Sequence, residues 1–161
     1  MVEERVFDDY EVDESYQTRG RTVTHSDIRM WIGSTDATHP NHVNSEYADS
    51  HPVFDDVVAP GVHTLGLADA FCADTISRPA AYGMNYGHDN VRYLAPVYVG
   101  DTISGEVTVA DTESKDDTWG LLTLDVELTN QDGETVLVED HLMLIAKSAA
   151  AVEESAATTE N

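Results

Sequence analysis

Apolar residues recur along this chain first at helical and then at strand spacing, and the change falls near Pro79. Phe7 to Val12 reads as a short extended lead-in, and Gly20 to His25 as a strand. Ser26 is placed to cap a helix with Asp27 in its first turn and Ile28, Trp31 and Ile32 on one face. That helix should fail near Gly33-Ser34-Thr35. A polar loop from Asp36 to Asn44 follows, and Ser45 is placed to cap a short helix through Glu46, Tyr47 and Ala48.

The next segment is apolar nearly all round. Pro60 suits a helix start, since it fixes φ and lacks an N–H that would be unpaired there. From Gly61 to about Thr75 come Val62, Leu65, Leu67, Ala68, Phe71 and Cys72, a composition that belongs in a core. Beyond Pro79 the pattern is strand-like. Val91 to Asp101 reads as a strand, a bend and a turn, and Thr102 to Ala110 alternates. A charged turn from Asp111 to Thr118 reverses the chain. Leu122, Leu124, Val126 and Leu128 alternate with Thr123, Asp125, Glu127 and Thr129 as in a half-buried strand. Asn130-Gln131-Asp132-Gly133 carries a hairpin signal, and a last strand runs from Glu134 to Ala146. In that strand Val136, Val138, Leu142 and Leu144 form an apolar series that Asp140 interrupts, which a strand end or bulge would explain. The segment 148–161 lacks periodicity and is expected to be a disordered acidic tail, leaving 1–147 as one domain. One buried helix followed by an antiparallel meander is an α+β architecture, the sheet wrapping the helix.

Charge alters the picture of the surface. Eight basic against thirty-one acidic residues give −23, and only Lys115 and Lys147 are lysines. Such a field repels nucleic acid and anionic membranes. The carboxylates are spread through the 161 residues, which points to the surface of a halophile's protein rather than to an acidic tail. No run approaches the roughly 20 apolar residues of a membrane span. The start lacks a signal-peptide layout, so a cytoplasmic protein is expected. Cys72 stands alone in an apolar run and reads as a packed core thiol.

Three blocks carry a family resemblance. Thr38-His39-Pro40-Asn41-His42-Val43-Asn44-Ser45-Glu46-Tyr47-Ala48 resembles the signature of the MaoC-like, (R)-specific enoyl-CoA hydratases: Gly-Asp, any residue, Asn, Pro, an aliphatic residue and His, then a short helix with Tyr-Ala. Ala59 to Leu65 is similar to the start of that family's central helix, and Val91 to Thr102 to its aromatic-Ala-Pro-Val and Gly-Asp landmarks. The resemblance spans roughly residues 7 to 147 and implies a hot-dog fold acting on a 2-enoyl-CoA thioester. Asn85 to Arg92 also resembles a branch acting on mesaconyl-CoA and methylmalyl-CoA. Members of that branch carry two hot-dog units, so a single unit here implies a homodimer. The family's spacing puts Ala37 where its catalytic aspartate stands, with Asp36 one residue early. Either a shifted loop lets Asp36 serve, or the acid is lost and Asn41 is the remaining polar partner.

Hydrating a conjugated thioester needs a base for water, an acid for the α carbon and a holder for the charge on the thioester oxygen. The resemblance implies Asp36 and His42 for the first two, chemistry that an imidazole near neutrality can perform. It implies the helix start at Gly61 for the third, where unpaired N–H groups and the dipole converge. Arg78 and Arg92 are candidates to meet the anionic CoA. No cofactor is implied, because no glycine-rich phosphate loop follows a strand. No metal is expected either: Pro40 between His39 and His42 spoils their helical spacing, and no third ligand is evident. His63 reads as a packed or interface residue; His25, His51, His88 and His141 have no supporting pattern, and Asp89 and Asp101 look like turn residues. Asp69, about two turns into the central helix, supports a rival reading as the carboxylate of a hot-dog thioesterase, or else a helix face turned to solvent or a dimer seam. A non-catalytic acyl-CoA-binding domain is the third reading.

Overall fold

The computed structural model describes residues 4–159. In chain order it contains a 3-10 turn at Phe7–Asp9, strands β1 (Ser15–Gln17) and β2 (Arg21–Thr22), and helices α1 (His25–Thr35), α2 (Pro40–Val43), α3 (Ser45–Asp49) and α4 (Gly61–Cys72). A π-helical turn at Ala73–Ser77 continues α4. Strands β3 (Gly83–Tyr93), β4 (Thr102–Ser114), β5 (Trp119–Thr129) and β6 (Thr135–Ala146) follow, then helix α5 (Ala149–Thr159).

Helix ends are set by reciprocal bonds that outcompete the single caps expected from sequence. Thr24, not Ser26, caps α1: its Oγ1 accepts the Asp27 N–H at 3.3 Å while Asp27 Oδ2 accepts the Thr24 N–H at 2.7 Å. Asn44, not Ser45, caps α3 by accepting the Tyr47 N–H at 3.1 Å. The loop from Asp36 to Asn44 is not wholly irregular, since α2 lies within it. The expected strand at Gly20 to His25 shrinks to β2, because the Thr24 box starts the helix at His25. Segment 148–161, expected to lack structure, instead contains α5: Ser148 Oγ accepts the Ala151 N–H at 3.1 Å, and alanine has the highest helix propensity.

The sheet is antiparallel in the order β1-β4-β5-β6-β3, with β2 also on β4. β5 alternates as its sequence predicts, with Leu122, Leu124, Val126 and Leu128 buried and Asp125 and Glu127 exposed. The β5–β6 reversal needs a left-handed residue, which Gly133 supplies at φ 80°. On its concave side the sheet packs Val107, Leu124, Leu137, Met143 and Ile145 against Ala68, Phe71 and Ile76 of the helical segment. This is the hot-dog arrangement: one helix cradled by a curled sheet. Only one side of α4 is covered, since Thr64, Ala68, Phe71 and Cys72 are buried while Val62 is half exposed. No described helix is long and apolar enough to cross a membrane.

The phase of β6 differs from the sequence reading. The residues facing the core are Leu137, Glu139, His141, Met143 and Ile145, and the series through Val138, Asp140, Leu142 and Leu144 lies on the other, half-buried face. Asp140 therefore interrupts nothing in the core; its Oδ2 accepts from Asn90 Nδ2 at 2.6 Å, across from the register shift between Asp89 and Arg92. The polar residues of β6 that do enter the core are Glu139 and His141.

Candidate active site

The segment Val57–Pro60 is laid down before α4 by strand-like contacts. Val58 bridges Tyr98, and the Ala59 N–H donates to the Val97 carbonyl at 2.8 Å. Val58 in turn anchors α2: its N–H donates to the Asn41 carbonyl at 3.0 Å, and its carbonyl accepts from His42 Nδ1 at 2.8 Å. A carbonyl can only accept, so Nδ1 carries the proton and Nε2 is left with its lone pair. His39 caps α2 through Nδ1, which accepts the Asn41 N–H at 3.4 Å and orients the short helix.

These segments bound a cleft of about 350 Å³ that brings together Asn41, His42 and Gly61. Asn41 Oδ1 is buried there without a hydrogen-bond partner. Pro60 gives α4 no side-chain cap, so the helix begins at the cleft with its first N–H groups uncapped. A Cβ on Gly61 would sit 3.1 Å from the Tyr93 ring, so glycine is what lets Tyr93 close against the helix start. Burial pushes the Tyr93 phenol above its ordinary value, keeping it neutral. Val53, Phe54, Val58, Leu94 and Val97 make the remaining wall largely apolar, with neither lysine nor arginine in the lining.

His42 also borders a second cavity of about 420 Å³ beside α1, whose lining includes His25, Arg29 and Asp56. Arg29 has no ion-pair partner among the described residues, whereas Arg5, Arg19, Arg21 and Arg78 are all paired with carboxylates. Sequence reasoning passed over Arg29 because it shares a helix with Trp31 and lies in no motif; only the fold sets α1 beside α2. His63 is packed, as expected, edge-on to Trp31 at 5.9 Å, and burial lowers its pKa.

Other expected residues lie elsewhere. Asp36 is the exposed, left-handed C-cap of α1 and lines neither cavity. The one-residue shift that would carry its carboxylate to His42 is absorbed by α1 ending there and by the turn in which the Thr38 N–H donates to the Asp36 carbonyl. Arg78 is ion-paired to Asp74 with its side chain 78% exposed. Arg92 donates to its own neighbour, the Val91 carbonyl, at the exposed end of β3. Neither lines a cavity. Cys72 is fully buried, and burial pushes its thiol far up. Asp69 is also outside both cavities; its Oδ1 accepts from Asn85 Nδ2 at 2.6 Å in a polar cluster with His88, Glu139 and His141.

His42 with a lone pair on Nε2, Asn41 and an uncapped helix N-terminus border one apolar cleft, a set of groups that can hold a water and polarise a carbonyl. Over 89 residues, 55% of this chain and 59% of the relative, the protein is 34% identical to an (R)-specific enoyl-CoA hydratase of Rhodospirillum rubrum. The chain thus spans less than two thirds of that relative's length. A monoamine oxidase regulatory protein from Archaeoglobus fulgius superposes with a TM-score of 0.82 at 29% identity, covering 91% of this chain and 97% of that one. An unliganded R-hydratase from Pseudomonas aeruginosa shares the fold, with a TM-score of 0.74 at 18% identity over 89% and 86% of the two chains. The pattern of the MaoC-like domain matches residues 9–131, most of the chain, and the protein belongs to that family.

Proposed function

We propose that this protein hydrates short 2-enoyl-CoA thioesters reversibly, with His42 as the single acid–base group. The observation that carries the reading is the cleft itself: His42, Asn41 and Gly61 border one apolar space beside an uncapped helix start. His42 Nε2 takes a proton from water as the water oxygen bonds to the β carbon. Asn41 Oδ1 accepts the water's other hydrogen and fixes its direction. The first N–H groups of α4 hold the charge that moves onto the thioester oxygen. The imidazolium then returns its proton to the α carbon, so one molecule of water is added and His42 is neutral again. Asp36 has no part in this scheme.

The likeness of Asn85–Arg92 to a mesaconyl-CoA branch meets a physical objection. A second carboxylate in the acyl group would need a cation, and the cleft lining has neither lysine nor arginine. An uncharged acyl chain such as crotonyl fits better. Arg29 and His25 in the adjoining cavity suit the anionic CoA moiety. A thioesterase based on Asp69 is disfavoured, because that carboxylate is bonded to Asn85 outside the cleft. The assay follows loss of the enoyl-thioester absorbance with crotonyl-CoA and mesaconyl-CoA, with free thiol measured in parallel. Loss of absorbance without thiol release supports hydration; thiol release, or no change with crotonyl-CoA, overturns it.

A further inference from the structure

We propose that Asp69, His88 and His141 form a binding site for a divalent transition-metal ion of the zinc class, with Glu139 orienting both histidines. The site is separate from the His42 cleft and does not depend on the hydratase reading.

The side chain of Glu139 is fully buried. A carboxylate in that position must be paired. Its Oε2 lies 2.7 Å from His88 Nδ1 and its Oε1 lies 3.2 Å from His141 Nδ1. Ionised, Glu139 can only accept, so both histidines carry their proton on Nδ1 and present Nε2 as a lone pair. Asp69 adds a third such atom from α4, and the three ligand atoms lie within 4.8 Å of one another. His141 Nε2 is 3.8 Å from Asp69 Oδ1.

Three acceptors facing one point need a positive centre between them. The Asn85 amide serves in part, donating to Asp69 Oδ1 at 2.6 Å and lying 3.1 Å from His88 Nε2. It leaves His141 Nε2 buried with no partner, in a residue with no solvent exposure. A cation satisfies all three. Two imidazoles and a carboxylate suit zinc and its neighbours rather than calcium or magnesium. Ligands at about 2.0–2.1 Å from the ion require the three atoms, which lie within 4.8 Å of one another, to draw together, with the Asn85 amide swung aside. A carboxylate bound to the far nitrogen of each ligating histidine is the usual support of such a site, fixing tautomer and ring orientation. Asp69 is 46% exposed at its side chain, which gives the ion a path in and a fourth position for water.

The test uses the full-length protein, stripped with a chelator and then titrated with Zn²⁺ by calorimetry and with Co²⁺ by visible absorption. One ion per chain should bind, and Co²⁺ should give the intense ligand-field band of a tetrahedral nitrogen–oxygen set. Asp69→Asn and His88→Gln should each weaken binding by at least about tenfold and remove that band. Both are partly exposed and can be checked for unchanged circular dichroism; His51→Gln, outside the three-ligand group, should bind as the parent does. No saturable binding, or equal binding in both site variants, overturns the proposal. Because binding is read without substrate, failure here leaves the hydration assay unaffected, and the reverse also holds.

Discussion

The ring of His42 is fastened to the backbone of Val58, Nδ1 to carbonyl oxygen at 2.8 Å. The same Val58 donates its N–H to the Asn41 carbonyl and bridges Tyr98, so the Nδ1–H tautomer of His42 is tied to the strand-like segment that also starts α4. One residue thereby sets the spacing between the His42 ring and the helix N-terminus.

His42→Ala should lower kcat for crotonyl-CoA hydration by on the order of 10²–10⁴, the usual worth of a positioned acid or base. Asn41→Ala should cost about tenfold, one hydrogen bond to the water. Asp36→Asn should leave kcat nearly intact. Steady-state kinetics of the three variants decide the scheme; a large loss in Asp36→Asn would restore the aspartate that the loop geometry excludes.

Arg29→Ala should raise KM for crotonyl-CoA several-fold with little change in kcat, since an anion contact remote from the reacting atoms contributes uniform binding. Free CoA should inhibit that variant correspondingly less. Equal KM in parent and variant would place the CoA elsewhere.

Stability should rise with salt. At −23 the folded chain repels itself, and the Debye length falls from about 30 Å at 0.01 M to about 3 Å at 1 M. Thermal midpoints measured across that range should climb, and a flat profile would end the halophile reading.

His63 should make stability fall with acid. Burial beside Trp31 lowers its folded pKa, while the unfolded histidine titrates near 6.5. Below about 6.5 the unfolded state therefore binds a proton that the folded state refuses. Stability declines as pH falls through that point and the loss is complete below the folded pKa. His63→Gln should flatten this part of the profile in urea titrations between pH 7.5 and pH 5, where about 6.5 marks the onset.

A homodimer is expected in sedimentation equilibrium. β3 is a sheet edge with Met84 46% and Tyr86 57% exposed, and α4 is covered on one side only. Two copies joined edge to edge would pair the open strand and cover those side chains. A monomer at micromolar concentration would contradict this.

The sequence by itself determined the central helix from Gly61, the alternation of β5 and the Gly133 turn, because periodicity and turn chemistry are local. It also determined the family, since the blocks at His42, Gly61 and Tyr93 keep their order. Helix caps were shifted by one or two residues where reciprocal bonds such as Thr24–Asp27 outcompete a single side chain. What only the tertiary structure decided was which groups meet. β6 carries apolar residues on both faces, so period 2 could not say which face turns inward, and a one-residue choice exchanges Asp140 for Glu139 and His141. Once that face is fixed, α4 and β3 bring Asp69 and His88 to it from 72 and 53 residues away from His141 along the chain. Arg29 reaches the cavity shared with His42 in the same manner, by the packing of α1 beside α2, and Asp36 is carried away by the left-handed end of α1. Such meetings follow from sheet register and helix docking, which no spacing within a motif encodes.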